Sequence, residues 1–260
     1  MVCANGVSAN LVEHTMIDGL TIHEMNGMIR EAIDSHEPES SAANGVNCHS
    51  SSGVVLDEYV LTTTPDVISH MNVLRERYIG YTSKREYLDF ALTSFGTKLL
   101  LDHACPIKAT FDLTIQLASR LYFGYNPASW EAVSTANYHK GRFAIVQVTT
   151  DSVLQFCASA FDSGIPVLDR RNMLLQAGQD YNSRIRNCYS GNAYFRLMNA
   201  LRSVWPENEP VSPLFSNPTW LKTHPRFIMS NMTDGGSLDS AYVMGETQSI
   251  WVNYSVEETE

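Results

Sequence analysis

Charge is sparse in this chain, and positive charge sparser still. Of 260 residues 18% are charged, with 18 Lys and Arg against 28 Asp and Glu. The net charge of −10 comes with no basic stripe, which argues against a nucleic-acid partner, because phosphate neutralisation needs clustered cations. Cysteine is scarce too. Cys3, Cys48, Cys105, Cys157 and Cys188 are odd in number, scattered and without a C-x-x-C pair. That excludes zinc-type spacing and a disulfide framework, so buried free thiols, a reducing compartment and no metal are expected. No apolar run reaches the roughly 20 residues of a membrane span, and no basic-then-apolar leader opens the chain. A cytoplasmic protein is the expectation, under which the sequons at Asn231-Met232-Thr233 and Asn253-Tyr254-Ser255 are coincidental. Internal repeats and low-complexity tracts are absent as well.

What is present is a hydrophobic content of 44%, enough to bury a core. Residues 7–12 read as a strand, and Leu20, Met25, Met28, Ile29, Ala32 and Ile33 recur at helical spacing. Residues 1–36 therefore form a strand, a polar box and a helix. Residues 37–53 are rich in Ser, Asn and Gly and read as a linker loop. The rest, 54–260, reads as an α/β domain. Its predicted elements are strands at 54–62, 87–95, 143–149, 227–232 and 248–254. Helices are predicted from Pro65 to Tyr78 and over 110–123, and helical runs over 153–202 with breaks near Gly164-Ile165-Pro166 and Ser190-Gly191. Strands alternating with helices imply a layered α/β fold.

The chemistry-bearing feature is Glu13-His14-Thr15-Met16-Ile17-Asp18-Gly19, an H-x-x-x-D-G box at the strand-to-helix junction. An imidazole there can take a proton from a hydroxyl or thiol. Asp18 can steady either the ring or the local backbone. Tyr138-His139 offers a second imidazole in a polar turn, a weaker candidate base, and Gly141-Arg142 reads as a turn before a strand.

Several landmarks then occur in order: the helix Ile115-Gln116-Leu117-Ala118, the pair Trp130-Glu131, and the run Ser134-Thr135-Ala136-Asn137-Tyr138-His139-Lys140-Gly141-Arg142. With the His14 box and the ending from Phe227 to Tyr254, they resemble the carnitine/choline acyltransferases, whose C-terminal portion this chain matches. The resemblance implies a chloramphenicol-acetyltransferase-like layered domain with a mixed sheet and flanking helices. It also implies His14 as general base, with Asp18 and Ser230 as further catalytic residues and Trp130, Glu131, Ser134, Phe143 and Arg196 toward substrate. No cofactor is expected beyond an acyl-phosphopantetheine or acyl-CoA co-substrate. The expected partners are an acyl thioester donor, an alcohol acceptor, and either an acyl carrier protein or a chain supplying the N-terminal half.

Departures from the family pattern bend that expectation. The family's serine-threonine-serine strand corresponds to Ser230-Asn231-Met232, so its last hydroxyl is a thioether here. The tyrosine and threonine that meet a carnitine carboxylate correspond to Trp130 and Phe143, and the arginine to Arg196. After Phe95-Gly96 only Lys98 stands where the family has two lysines for the CoA phosphate. The reading that follows is acyl transfer from a pantetheine arm to a less polar alcohol, as in release domains of fungal reducing polyketide synthases. The alternatives are a carnitine/choline O-acyltransferase piece or a non-catalytic domain that retains the fold.

Overall fold

The computed structural model describes residues 8–12, 14, 16–35, 62–232 and 249–256. Two compact units divide the chain: Met1–Glu31 with Leu92–Glu260, and Ala32–Ala91. In the smaller unit the main described element is a helix, α2 (Pro65–Thr82). Thr64 caps it by accepting from Val67 N–H, and Pro65 occupies the first turn, where a missing N–H costs nothing.

The larger unit is a mixed α/β structure around a four-stranded sheet of order β2-β1-β3-β4. Its strands are β1 (Ser129–Ser134), β2 (Phe143–Gln147), β3 (Phe227–Asn231) and β4 (Ile250–Tyr254). β1 and β2 form an antiparallel hairpin, with Ser134 opposite Phe143. β3 runs parallel to β1, and β4 parallel to β3. The carboxyl ends of β1, β3 and β4 and the amino end of β2 therefore lie along one edge.

Alternation of side chains sorts the two faces. Val133, Ala144, Val146, Met229 and Tyr254 join Ala109 of α4 (Ile107–Phe123) with Tyr181 and Cys188 of α6 (Val167–Tyr189) in the main core. A second cluster, Leu113, Val153, Cys157 and Ala177, ties α4 and α6 to α5 (Asp151–Ser159). The other face carries Trp130, Phe143, Ser230 and Met232. There Trp130 packs edge-on against Phe195 of α7 (Phe195–Ser203), with ring centroids 4.2 Å apart. The proline-rich connection holds two single turns, α8 (Pro213–Ser216) and α9 (Pro218–Leu221), around Phe215 and Trp220. A short helix, α3 (Thr97–Asp102), precedes α4, and α1 (Gly19–Asp34) follows the H-x-x-x-D-G box.

Several sequence expectations need correction. Within residues 8–12 only Ser8 forms a bridge, and the anticipated strand does not develop. Residues 87–95 lack regular structure, with Leu88 and Phe90 exposed, because an alternating pattern makes no strand without a ladder partner. The expected strand at 54–62 falls on residues outside those described, apart from Thr62, which is not in a strand. β1 went unpredicted because Glu131 occupies an inward position of its alternating pattern and disguises it. On α1 the apolar stripe is present but largely uncovered among the described residues: Met28 and Ile33 are exposed, and Asn26 is the buried residue. Cys157 and Cys188 are buried free thiols, pushed up by burial, and Cys105 is half-buried.

Candidate active site

The box at His14 is built from the start of α1. Asp18 opens that helix, its carbonyl accepting from Thr21 N–H at 3.1 Å. Its carboxylate turns back, placing Oδ1 3.6 Å from His14 Nδ1. That separation exceeds a hydrogen bond but suits a charge that orients the ring. The His14 side chain is about half exposed, at 50%. Asp18 thus contacts both the neighbourhood of the ring and the first turn of α1.

Arg142 holds this pair in place, which sequence reading missed. Its Nε donates to Asp18 Oδ2 at 3.0 Å and its Nη2 to Asp18 Oδ1 at 2.7 Å, a two-pronged clamp. Nη2 also donates to the His14 carbonyl at 3.0 Å. Arg142 therefore does more than shape a turn. Its bonds run to the carboxylate and the backbone of the box rather than to the imidazole. The loop before it is tightly folded: Thr135 N–H donates to the Arg142 carbonyl at 2.9 Å, and Gly141 N–H to the Tyr138 carbonyl at 2.7 Å. A Cβ on Gly141 would lie 1.9 Å from the Thr135 carbonyl oxygen, so only glycine passes there. The Gly-Arg pair was visible in sequence, but its partner lies 124 positions away, and no local pattern connects them.

The same sheet edge collects the β3 end. The Ser230 hydroxyl lies 3.7 Å from Met232 Sδ, a weak acceptor, and His23 Nε2 approaches that sulfur to 3.5 Å. His23 is a second imidazole at this edge that sequence reading passed over, since it sits on an ordinary helical repeat. Ser134, at the end of β1, accepts from Ala136 N–H at 3.3 Å and shapes the turn. His139 is exposed on the same loop.

The other sequence-nominated residues divide between the faces. Phe143 opens β2 beside Arg142, and its ring lies under the Arg196 guanidinium at 4.2 Å. Arg196 Nη1 also donates to the Phe143 carbonyl at 2.8 Å, so this cation is engaged within the chain. Trp130 stands four residues back along β1 from Ser134, about 13 Å at the usual strand rise, and its indole donates to the Thr223 carbonyl at 3.0 Å. Glu131 is on the opposite face, 0% exposed, with Oε1 2.9 Å from Lys108 Nζ. Among the described residues no group of three His, Cys, Asp or Glu side chains is placed to hold a metal ion.

Behind the sheet Asp112 is also 0% exposed and accepts from the Tyr254 hydroxyl at 3.2 Å. Burial first, then Glu131, raises its carboxyl well above the ordinary 3.8; Tyr181, Lys108 and Tyr254 oppose the shift. The folded state thus retains a proton there that the unfolded chain releases. Its stabilising effect is fully present below about pH 3.8 and is lost as pH rises. Asp112→Asn keeps the acceptor for Tyr254 and removes the titration. Its Tm should exceed that of the parent by about 2–4 °C at pH 7, a gain that shrinks toward pH 4. Melting curves at pH 4.5, 6 and 7.5 check this, and a pH-independent difference would contradict it.

A family model described as Choline/Carnitine O-acyltransferase matches residues 1–260, and the chain belongs to that family. It is 40% identical over 266 aligned positions to a highly reducing polyketide synthase of Aspergillus luteorubrus, covering 99% of this chain and 8% of that protein. It is also 27% identical to highly reducing polyketide synthase 17 of Metarhizium anisopliae, over 84% of this chain and 7% of that one. Peroxisomal carnitine O-octanoyltransferase of Bos taurus is 24% identical over 85% of this chain and 36% of its own length. The chain therefore spans less than a tenth of the two synthases and about a third of the transferase. The family is one of acyl transfer, and no described helix is long and apolar enough to cross a membrane.

Proposed function

We propose that this chain transfers an acyl group from a pantetheine thioester to an alcohol, with His14 as general base. The observation that carries the reading is the Arg142–Asp18–His14 arrangement at the carboxyl edge of the parallel strands, where open α/β sheets place their ligands. With Nδ1 toward Asp18, Nε2 is the nitrogen left to take the proton of the acceptor hydroxyl. The alcohol oxygen attacks the thioester carbonyl carbon to give a tetrahedral oxyanion. Its collapse breaks the C–S bond, and the imidazolium returns the proton to the departing thiolate, leaving an ester and a free thiol. The Ser230 hydroxyl, beside the Met232 thioether, supplies the polar hydrogen for the oxyanion, with the His23 ring at the same edge. The layers on either side of the sheet support a chloramphenicol-acetyltransferase-like arrangement.

Two observations favour a carrier-bound donor and a less polar acceptor. Lys98, which follows Phe95-Gly96, is a single lysine where the family has two for the CoA phosphate, and it lies 3.4 Å from the opposing charge of Asp102 on its own helix. Arg196 is engaged by Phe143, and Trp130 by Phe195 and Thr223, which disfavours a carboxylate-bearing acceptor such as carnitine. The similarity to polyketide synthases, multidomain proteins, supports an acyl carrier protein as the donor's bearer and the remainder of such a protein as a further partner. The test is thiol release from a medium-chain acyl-pantetheine with 1-octanol, benzyl alcohol, carnitine or choline as acceptor. Ester formation with the first two, several-fold above carnitine, is expected. Preference for carnitine or choline would refute the acceptor assignment, and binding without release would favour a non-catalytic domain.

A further inference from the structure

The ladder between β1 and β3 ends early. Ser129, Trp130 and Glu131 pair with Phe227, Ile228 and Met229, and there the parallel register stops, while β1 continues beside β2 as far as Ser134. The odd-numbered N–H groups of β3 face β1: Phe227 N–H reaches the Ala128 carbonyl at 3.4 Å. The last such group in the strand belongs to Asn231, and it donates to the side chain of Glu131, Oε1, at 3.3 Å. On the other side Met232 N–H donates to the Tyr254 carbonyl at 2.7 Å. A carboxylate thus carries the ladder on where the β1 backbone has left it.

That carboxylate is costly to bury, and the chain provides for it. Glu131 is wholly buried, and the same Oε1 receives Lys108 Nζ at 2.9 Å from the first turn of α4. Lys108 keeps about a third of its side chain exposed, so its ammonium remains partly hydrated while it faces the buried oxygen. Asp112, one turn along α4, binds Tyr254 at 3.2 Å, and Tyr254 is the register partner of Asn231 on β4. Helix α4 therefore grips the β3 end from both neighbouring strands, through Lys108–Glu131 and through Asp112–Tyr254. What this end carries is Ser230 and Met232, turned to the opposite face beside His23.

We propose that Glu131, held as a hydrogen-bond acceptor by Lys108, is a positioning residue that fixes the end of β3 where it parts from β1 and so sets Ser230 and Met232 for acyl transfer. This rests on the reaction proposed above for its kinetic consequence, and not for its structural half. Breaking a buried pair from one side destabilises a protein whatever its role, whereas replacing both partners with neutral groups is often tolerated. The decisive comparison is accordingly between two neutral double variants of the full chain. Lys108→Met/Glu131→Gln keeps an acceptor for Asn231 N–H, and Lys108→Met/Glu131→Leu does not. If the leucine version fails to fold, Lys108→Met/Glu131→Met replaces it.

Amide hydrogen exchange at Asn231, followed by NMR, should accelerate at least about tenfold in the leucine variant and stay near the parent in the glutamine variant. In the thiol-release assay kcat should fall about ten- to a hundredfold in the leucine variant, with acceptor KM unchanged, and recover to within about threefold with glutamine. Equal exchange in the two variants overturns the proposal, as does faster exchange with undiminished kcat. If the parent protein releases no thiol, the acyl-transfer reading fails, and the exchange comparison alone upholds or overturns the role of Glu131.

Discussion

His14→Ala should abolish measurable thiol release while leaving the protein folded. General acid–base catalysis by one positioned side chain contributes about 10²–10⁴ in rate. His14 is asked to act twice in each cycle, so the upper part of that range is expected. Its side chain is half exposed and lies at the sheet edge, outside both core clusters, so its loss should shift Tm by no more than a degree or two. The measurement is release of acyl-pantetheine thiol by parent and variant at matched concentration, with melting curves alongside. Activity retained within threefold in a well-folded variant would remove His14 from the mechanism. The same assay on His23→Ala and His139→Ala separates the three imidazoles. His139, exposed on the β1–β2 loop, should be dispensable.

The second large effect belongs to Arg142. Its guanidinium donates to both oxygens of the Asp18 carboxylate and to the carbonyls of His14 and Ile17. Truncation to Met releases the loop that carries His14, and a displacement of about 1 Å in a catalytic group can cost about a hundredfold. We expect kcat to fall by that order with little change in acceptor KM. Lys should not rescue, because a single ammonium cannot span both carboxylate oxygens and the carbonyl. Asp18→Asn combined with Arg142→Met should cost less than the two single losses added together, since the pair share the Asp18–Arg142 contact. Additive losses in that cycle, or full activity in Arg142→Lys, would show that the clamp does not position His14.

These two residues also differ in how far along the chain their contacts reach. The H-x-x-x-D-G box is local, and its spacing brings imidazole and carboxylate within 3.6 Å as soon as α1 begins. Helices α2, α4 and α6 and strands β2, β3 and β4 follow from apolar periodicity and, for α2, from Pro65 at its start. Family membership was legible as well, from landmarks in fixed order.

What the sequence determined was the set of parts whose signals lie within a few residues of one another: the longer helices, three of the four described strands and the spacing of the histidine box. Tertiary structure alone decided the rest. It set which face of β1 is buried, so that Glu131 meets Lys108 and Asn231 while Trp130 meets Phe195 on the other face. It brought Arg142 across 124 positions to Asp18, and Arg196 across 53 to the Phe143 carbonyl. It also left residues 87–95 without the strand their pattern suggested. The reason is the same in each case. Periodicity fixes what a segment can become, while pairing, burial and charge partnership depend on which distant segment arrives beside it.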